Sequence, residues 1–599
     1  MGILKKRKIF WITSTVLFWL MPAIYLLMLE SFNSYPVYFF KEFVPERSSV
    51  VMFDLILFYI LFALVFFLVK KSWICLTFFS VLTISVSLTN YIKYALTGEN
   101  FFPHDIVMAG NMNELVEFVS VDFAWWMWAF FAVMILSAMI LGVFSKDAPF
   151  RFYIRVPVSI VLSVLIILFF GNGDIAGHVF NKFKMEYEST AIQYSNYREN
   201  GFVGAFAINI AAFSIQKPEG YSDAVFESEL NKYAKFSPSD DFNKPDIIVI
   251  LSESFWDPRL LPESMISPDP FKNFDEISRR ENAHSGGLIV PAYGGGTIRT
   301  EFEVLTGLSC DALPSGVIPY NIIKSDVPSY VSYYKNLGYN AIAIHPYLAK
   351  FYSRNICLPR IGFDEYHAET LGEIIDVKPI YRGGYTSDES FVEYLKYFLD
   401  KTKKDEPLFL FGITMENHQR YRDKYENEKF TVSAYNAKLN SGDQNNFENY
   451  TQGVKNADEA LGMLCDFIDK RERPTVLVYF GDHLPSICTN LSAYRDTGFI
   501  DDSPEAIKKL YTTPFLIYSN FALNKDAANY DTVASYDLLN VLSSVIGAGK
   551  SDYMSYLDSL REVLPYYNRR LDVMNILTTD EQKEMLKLQY YATYKAMKR

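Results

Sequence analysis

The sequence has few of the residues from which cysteine metal sites, disulfide frameworks and nucleic-acid surfaces are built. Only five cysteines, Cys75, Cys310, Cys357, Cys465 and Cys488, stand among 599 residues. None forms a CxxC pair or another ligand spacing, which removes a cysteine metal site; a disulfide among the last four stays open, because pairing cannot be read from spacing. The balance of 57 basic to 69 acidic side chains gives −12, and no basic stripe marks the C-terminal half. Nucleic acid is thereby set aside as a partner. There is no internal repeat and no low-complexity tract, and a chain that is 50% hydrophobic and 16% aromatic is too apolar for disorder. Histidine is scarce too, with seven in all.

The residues that are present fall into two halves. Apolar runs long enough to cross a bilayer, about 18 residues or more, occur at Ile9–Leu29, Ser72–Ile92, Phe123–Phe144 and Val156–Gly173, and a further one, Ser48–Val69, carries a single acid, Asp54. Five membrane helices are expected in residues 1–175. Lys5, Lys6, Arg7 and Lys8, then Lys70 and Lys71, then Lys146, Arg151 and Arg155 fall on one side if the spans alternate. Basic loops face the cytoplasm, so the odd number of spans places the chain after residue 175 outside. The first run is too long for a signal-peptide core, and no small-x-small cleavage site comes after it. Residues 176–242 read as a membrane-proximal connector and residues 243–599 as an extracytoplasmic domain.

In that domain short apolar runs alternate with helical patterns: "DIIVILSESF" at 246, "YNAIAIHPY" at 339, "PLFLFGITMEN" at 407, "TVLVYFGDH" at 475 and "PFLIYSNF" at 514. Val454, Ala457, Leu461, Leu464 and Ile468 recur at helical spacing. Near-continuous apolar strands separated by helices predict an α/β domain with a mainly parallel sheet covered on both faces. Ligands in such sheets bind beyond the carboxyl ends of the strands. There stand Ser252, Glu253 and Ser254; His345; Glu416, Asn417 and His418; and Asp482 with His483.

Glu253, Asp482 and His483 offer a mixed oxygen and nitrogen set suited to Mn²⁺, Mg²⁺ or Zn²⁺. An oxygen from the loop "GGGT", at Thr297, would complete a four-coordinate shell, and a cation would stabilise the alkoxide of a hydroxyl that is otherwise a weak nucleophile. Taken alone, that loop reads as a plain turn.

The ordered set "SESFWDP", "GGGTIRTEFEVLTG", "HPYLAKFYSRN", "MENHQRY" and "YFGDHLP" behind five apolar runs resembles the lipoteichoic acid synthase family. These are membrane phosphoglycerol transferases of the alkaline phosphatase and sulfatase superfamily. The resemblance implies a sulfatase-like catalytic domain and one divalent metal ion, usually Mn²⁺, held by Glu253, Thr297, Asp482 and His483. It implies Thr297 as nucleophile and His345, Tyr352, Arg354 and His418 as phosphoglycerol contacts. Glycerol phosphate would pass from phosphatidylglycerol through a threonine intermediate to a lipoteichoic-acid-type or other cell-envelope glycan acceptor.

Two departures stand out. Tyr352 occupies the place where well-known members carry a tryptophan, and Thr300 stands three residues after Thr297. Thr297 is preferred because it directly succeeds the glycines and precedes Glu301 by four, as the family nucleophile does. The alternative is a related enzyme that transfers phosphoethanolamine or hydrolyses a phosphate or sulfate ester. A sulfatase nucleophile in a C/S-x-P-x-R setting is absent from "GGGTIRTEF". A catalytically silent envelope protein would have lost ligands, and all four are here.

Plainer roles are expected elsewhere. His104 and His178 are read as loop structure, His284 and His367 as surface residues, and Asp54 as reaching the membrane interface. "TDEQKEMLKLQYYATYKAMKR" is expected to pack as an amphipathic helix on the domain.

Overall fold

The computed structural model describes residues 2–34, 38–97, 100–103, 105–106, 125–144, 151–185, 193–211 and 217–598, apart from 314–316, 370, 404–405, 427, 429, 489–490, 502 and 529. His104 lies outside them. The chain divides into two compact units, Met1–Ser214, and Ile215–Leu313 with Val317–Arg599.

The first unit is helical: α1 Gly2–Ser34, α2 Ser48–Val69, α3 Ser72–Thr97, α4 Trp125–Phe144, α5 Phe152–Gly171, α6 Gly173–Lys182 and α7 Gln193–Ala211. Four of these contain stretches long and apolar enough to cross a membrane, Ile12–Asn33, Ser48–Val69, Ser72–Tyr94 and Phe152–Gly171. The expected span Phe123–Phe144 gives α4, whose apolar stretch Trp125–Leu141 is shorter; residues 123 and 124 are not described. His178 lies within the helix α6 rather than in a loop. Asp54 is buried in α2 and neither carboxylate oxygen has a hydrogen bond, so it does not reach an interface within this unit. It points at Gly204, whose missing side chain leaves the room: an added Cβ would lie 3.2 Å from Oδ1. Nearby, α7 kinks at Gly201 (φ 65°), and Glu30 accepts the amide protons of Phe202 and Val203 that the kink leaves without a helical partner.

The connector expected over 176–242 is divided between the units. Phe202, Val203, Ala205, Ala207 and Ile208 of α7 are buried among the apolar helices, whereas Tyr221, Phe226 and Leu230 are buried in the core of the second unit. Polar composition around these residues hides a few apolar anchors, and the anchors decide where each piece packs.

The second unit is built on eight strands: β1 Asp246–Ser252, β2 Ala283–Ile289, β3 Asn340–Ile344, β4 Glu365–His367, β5 Leu408–Ile413, β6 Thr475–Gly481, β7 Thr512–Ser519 and β8 Thr532–Ala534. Their order is β8-β2-β7-β6-β1-β5-β3-β4. The pairs β6–β1, β1–β5, β5–β3, β3–β4 and β8–β2 are parallel; β7 runs antiparallel to both β6 and β2. Side chains alternate between two buried layers. On β1, Ile247, Val249 and Leu251 face one core and Ile248 and Ile250 the other.

Against the first layer lie α8 Thr297–Thr306 and the terminal helix Asp580–Met597, whose Leu586, Tyr591 and Met597 are buried as the amphipathic pattern predicts. Against the second lie α9 Asp388–Asp400 and α10 Ser441–Asp469, which buries Val454, Ala457, Leu461, Leu464 and Ile468. Strand β2, with His284 half-buried within it, was not legible as a strand. Two glycines interrupt its pattern, and Gly286 is there because an added Cβ would sit 2.4 Å from the Asp531 carbonyl oxygen. His367 is half-buried in β4 and contacts Glu365 at 2.8 Å. All five cysteines are free and buried, which answers the disulfide question.

Candidate active site

The register of the parallel strands sets the site. Ser252 lies opposite Gly481 and Leu251 opposite Ile413, so Glu253 and Asp482, each the next residue beyond its strand, emerge side by side at the carboxyl edge. The turn after β1 holds Ser254 at φ 52°, a left-handed conformation that is costly for a residue with a Cβ. It is fixed by two contacts: the Ser254 amide donates to Asp482 Oδ1 at 2.8 Å, and the Glu253 amide to Thr414 Oγ1 at 3.1 Å.

Across the edge the three glycines take φ 64°, 147° and 85°, conformations that a side chain would strain, and deliver Thr297 as the first residue of α8. Its Oγ1 lies 3.4 Å from Glu253 Oε2 and 3.4 Å from His483 Nε2. His483 Nε2 lies 3.2 Å from Asp482 Oδ2 and 3.7 Å from Glu253 Oε1. Glu253, Asp482 and His483 are buried, and one ligand atom from each falls within 4.8 Å of the others.

The chemistry of this group is one-sided. His483 Nδ1 is 3.0 Å from the Leu484 carbonyl, which can only accept, so Nδ1 carries the proton and the Nε2 lone pair faces two carboxylates. Asp482 Oδ2 is buried without a hydrogen bond. Burial, then the neighbouring Glu253 charge, pushes the Asp482 carboxyl up to about 6. Two carboxylates and an imidazole lone pair converging on one place are what a divalent cation satisfies, and the residues fit one.

Thr300 is placed differently. Its hydroxyl donates to the Asp482 main-chain carbonyl at 2.8 Å and so ties α8 to the end of β6.

Of the remaining expected residues, His345 stands just after β3, buried, with Nδ1 donating to the Ile413 carbonyl at 3.2 Å. Burial, then Arg354, holds its imidazole well below the usual range. His418 repeats the pattern, Nδ1 donating to Gln419 O at 2.7 Å, and burial lowers it to about 4. Tyr352 sits at φ 54° and Ser353 at φ 59°, two consecutive left-handed residues. Burial raises the Tyr352 phenol to about 12.

Arg354 is not free to swing. Its Nε and Nη2 donate to Glu301 at 3.0 and 2.7 Å with both side chains buried. Sequence reasoning passed over Glu301 as part of an amphipathic helix; its four-residue distance from Thr297 was the available signal. Glu416, although it lies just beyond β5, turns away from the carboxylates, accepting from Asn456, the Asp388 amide and Tyr425. Lys424, also unforeseen, donates to the His418 carbonyl and stacks 4.9 Å from the Tyr385 ring.

Known proteins are similar to parts of this chain. A Rhizobium meliloti protein named for modification of cyclic beta-1,2-glucan is 34% identical over 338 residues, 55% of this chain and 50% of that protein. The chain spans about half the length of the curated relatives it matches. Two solved structures share the fold. The Streptococcus pyogenes phosphoglycerol transferase GacH in complex with sn-glycerol-1-phosphate matches with TM-score 0.51 and 21% identity, over 64% of this chain and 95% of its own. The Neisseria meningitidis lipooligosaccharide phosphoethanolamine transferase EptA matches with TM-score 0.51 and 11% identity, over 93% of this chain and 98% of its own. The sulfatase family model matches residues 245–548, just over half of the chain and every residue of this site. The protein belongs to the sulfatase family.

Proposed function

We propose that the chain is a membrane-anchored, extracytoplasmic phosphoglycerol transferase that moves glycerol phosphate from phosphatidylglycerol to a cell-envelope glycan by way of Thr297. The observation that carries this reading is the Thr297 hydroxyl at a helix N-terminus, 3.4 Å from Glu253 and from His483. A divalent cation, Mn²⁺ foremost, held by Glu253, Asp482, His483 and the threonine oxygen would supply the positive charge that lets this hydroxyl ionise near neutral pH.

Thr297 Oγ1 then forms a bond to the donor phosphorus while the bond to diacylglycerol breaks; the departing oxygen takes up a proton equivalent to the one Thr297 gave up. In the second half an acceptor hydroxyl attacks the same phosphorus and Thr297 recovers its oxygen and proton. The α8 N-terminus points amide protons at the phosphoryl group. His345 and His418, with Nδ1 committed to carbonyls, accept through Nε2. They suit hydroxyls of glycerol or acceptor better than phosphate oxygens, which leaves Arg354 as the side-chain donor to the anion.

The head group rests on the motif resemblance, and a glycan acceptor agrees with the name of the Rhizobium relative. Apolar helices in the first unit would tether the catalytic unit to the membrane that holds the donor. The test is release of diacylglycerol from phosphatidylglycerol vesicles by the full chain with Mn²⁺. Thr297→Ala is expected to lower it by about 10³-fold or more with an unchanged fold. Full activity in that variant removes the mechanism, and release from phosphatidylethanolamine instead moves the reading to the phosphoethanolamine alternative.

A further inference from the structure

We infer that Glu301 is a positioning residue for phosphate, which fixes the Arg354 guanidinium on the same helix that carries the nucleophile and leaves Nη1 as its one anion-binding edge. The inference rests on the phosphoryl-transfer reading of the site. Residues four apart share a helix face, so α8 presents Thr297 at its first turn and Glu301 one turn below. Glu301 is fully buried and takes Arg354 Nε at 3.0 Å and Nη2 at 2.7 Å on one oxygen; its other oxygen accepts the Tyr320 hydroxyl at 2.9 Å. Three donors thereby hold one carboxylate, and the carboxylate holds the plane of the guanidinium.

Arg354 Nη1 is buried and has no hydrogen-bond partner. A buried donor left unmade costs free energy, and it persists where a ligand is to be met. The surroundings say which ligand. The guanidinium carbon lies 5.3 Å from the Tyr352 ring, and the Arg354 charge is among the causes that keep His345 neutral. Tyr352 in turn lies within electrostatic range of Glu253 and Asp482. Through Glu301 the guanidinium is tied one turn below Thr297 on α8, and for its buried, unpaired Nη1 a phosphodiester oxygen is the acceptor we assign. Because Glu301 neutralises the guanidinium, a bound phosphate would gain a directed hydrogen bond without a second net positive charge.

Glu301 differs from a merely structural acid in that it acts through Arg354. The full-length protein in detergent, loaded with Mn²⁺, is titrated calorimetrically with inorganic phosphate, using wild type, Glu301→Gln, Arg354→Gln and the double variant. Each single variant is expected to bind phosphate about tenfold more weakly, as for a lost charge-assisted hydrogen bond. The double variant is expected within about threefold of Arg354→Gln, since the two act as one unit. Mn²⁺ affinity should stay within about twofold throughout, because neither side chain touches the Glu253, Asp482 and His483 group. Unchanged phosphate affinity in Glu301→Gln, losses that multiply in the double variant, or no phosphate binding by wild type would overturn the inference.

If Glu301→Gln does not fold, Tyr320→Phe removes one hydrogen bond from the same carboxylate; about threefold weaker phosphate binding is expected, and unchanged affinity would count against the idea. The two readings fail separately. Phosphate binding in the expected pattern without diacylglycerol release removes the donor assignment and leaves Glu301 in place, whereas diacylglycerol release with normal phosphate binding by Glu301→Gln does the reverse.

Discussion

Thr297 and Thr300 lie three residues apart on α8, and their hydroxyls have different employment: one stands 3.4 Å from Glu253 and His483, the other donates to the Asp482 carbonyl at 2.8 Å. Thr300→Val is accordingly expected to lose about 1 kcal/mol of stability, as for one buried hydrogen bond, and to keep turnover within about tenfold; abolished turnover would reassign the nucleophile. The acids and the histidine of this group were legible because each stands at the end of an apolar run. Glu301 was not, since its partner Arg354 is 53 residues away and only the fold brings them together. A second buried acid on α8, Glu303, is pushed up to about 8 by burial and then by Asp311, although Ser535 and the Cys310 amide donate to it. Its raised folded value means that the unfolded chain releases this proton first, so the stability it contributes is full below about pH 4.5 and is lost as pH rises through 8. Glu303→Gln removes that loss. Its stability relative to wild type should climb between pH 5 and 8, by at most about 1.4 kcal/mol per unit, in thermal melts; a flat difference contradicts the assignment.

At the scale of elements, five central strands were readable as apolar runs, and their mainly parallel arrangement was implied by the helices between them. The strands that were missed are short or broken by glycine, and their places are set by neighbours: Gly286 by the Asp531 backbone, β8 by its pairing with β2. The contacts that hold the amino ends of the parallel strands together are also invisible locally. Asp246, fully buried at the start of β1, accepts the Leu408 amide of β5 at 3.0 Å and pairs with Arg471 at 2.6 Å and Arg473 at 2.8 Å, just before β6. Asp246→Ala removes the carboxylate shared by Arg471 and Arg473 and is expected to cost roughly 3–5 kcal/mol, the range for breaking a buried ion pair. Chemical denaturation of the second unit measures it, and a loss below about 1 kcal/mol would show that the strands are registered by packing alone.

For the whole molecule, the division of the chain at 214 has a practical consequence. A fragment beginning at residue 217 keeps Tyr221, Phe226 and Leu230 in the core, whereas one beginning at 243 exposes the apolar surface they cover. The longer fragment should melt several degrees higher, each buried aromatic or leucine being worth about 1.5–3 kcal/mol; equal melting would show that the 223–230 helix adds nothing. The proposed catalysis rests on one atom, the Thr297 hydroxyl oxygen. Full-length protein is incubated with Mn²⁺ and labelled phosphatidylglycerol, acid-quenched before acceptor is added, digested, and the peptide containing residue 297 is weighed and fragmented. The expected product is a glycerophosphoryl group on Thr297, formed together with diacylglycerol and discharged when a glycan acceptor is supplied. Diacylglycerol release with no adduct under any quench, or an adduct on Thr300, would contradict it.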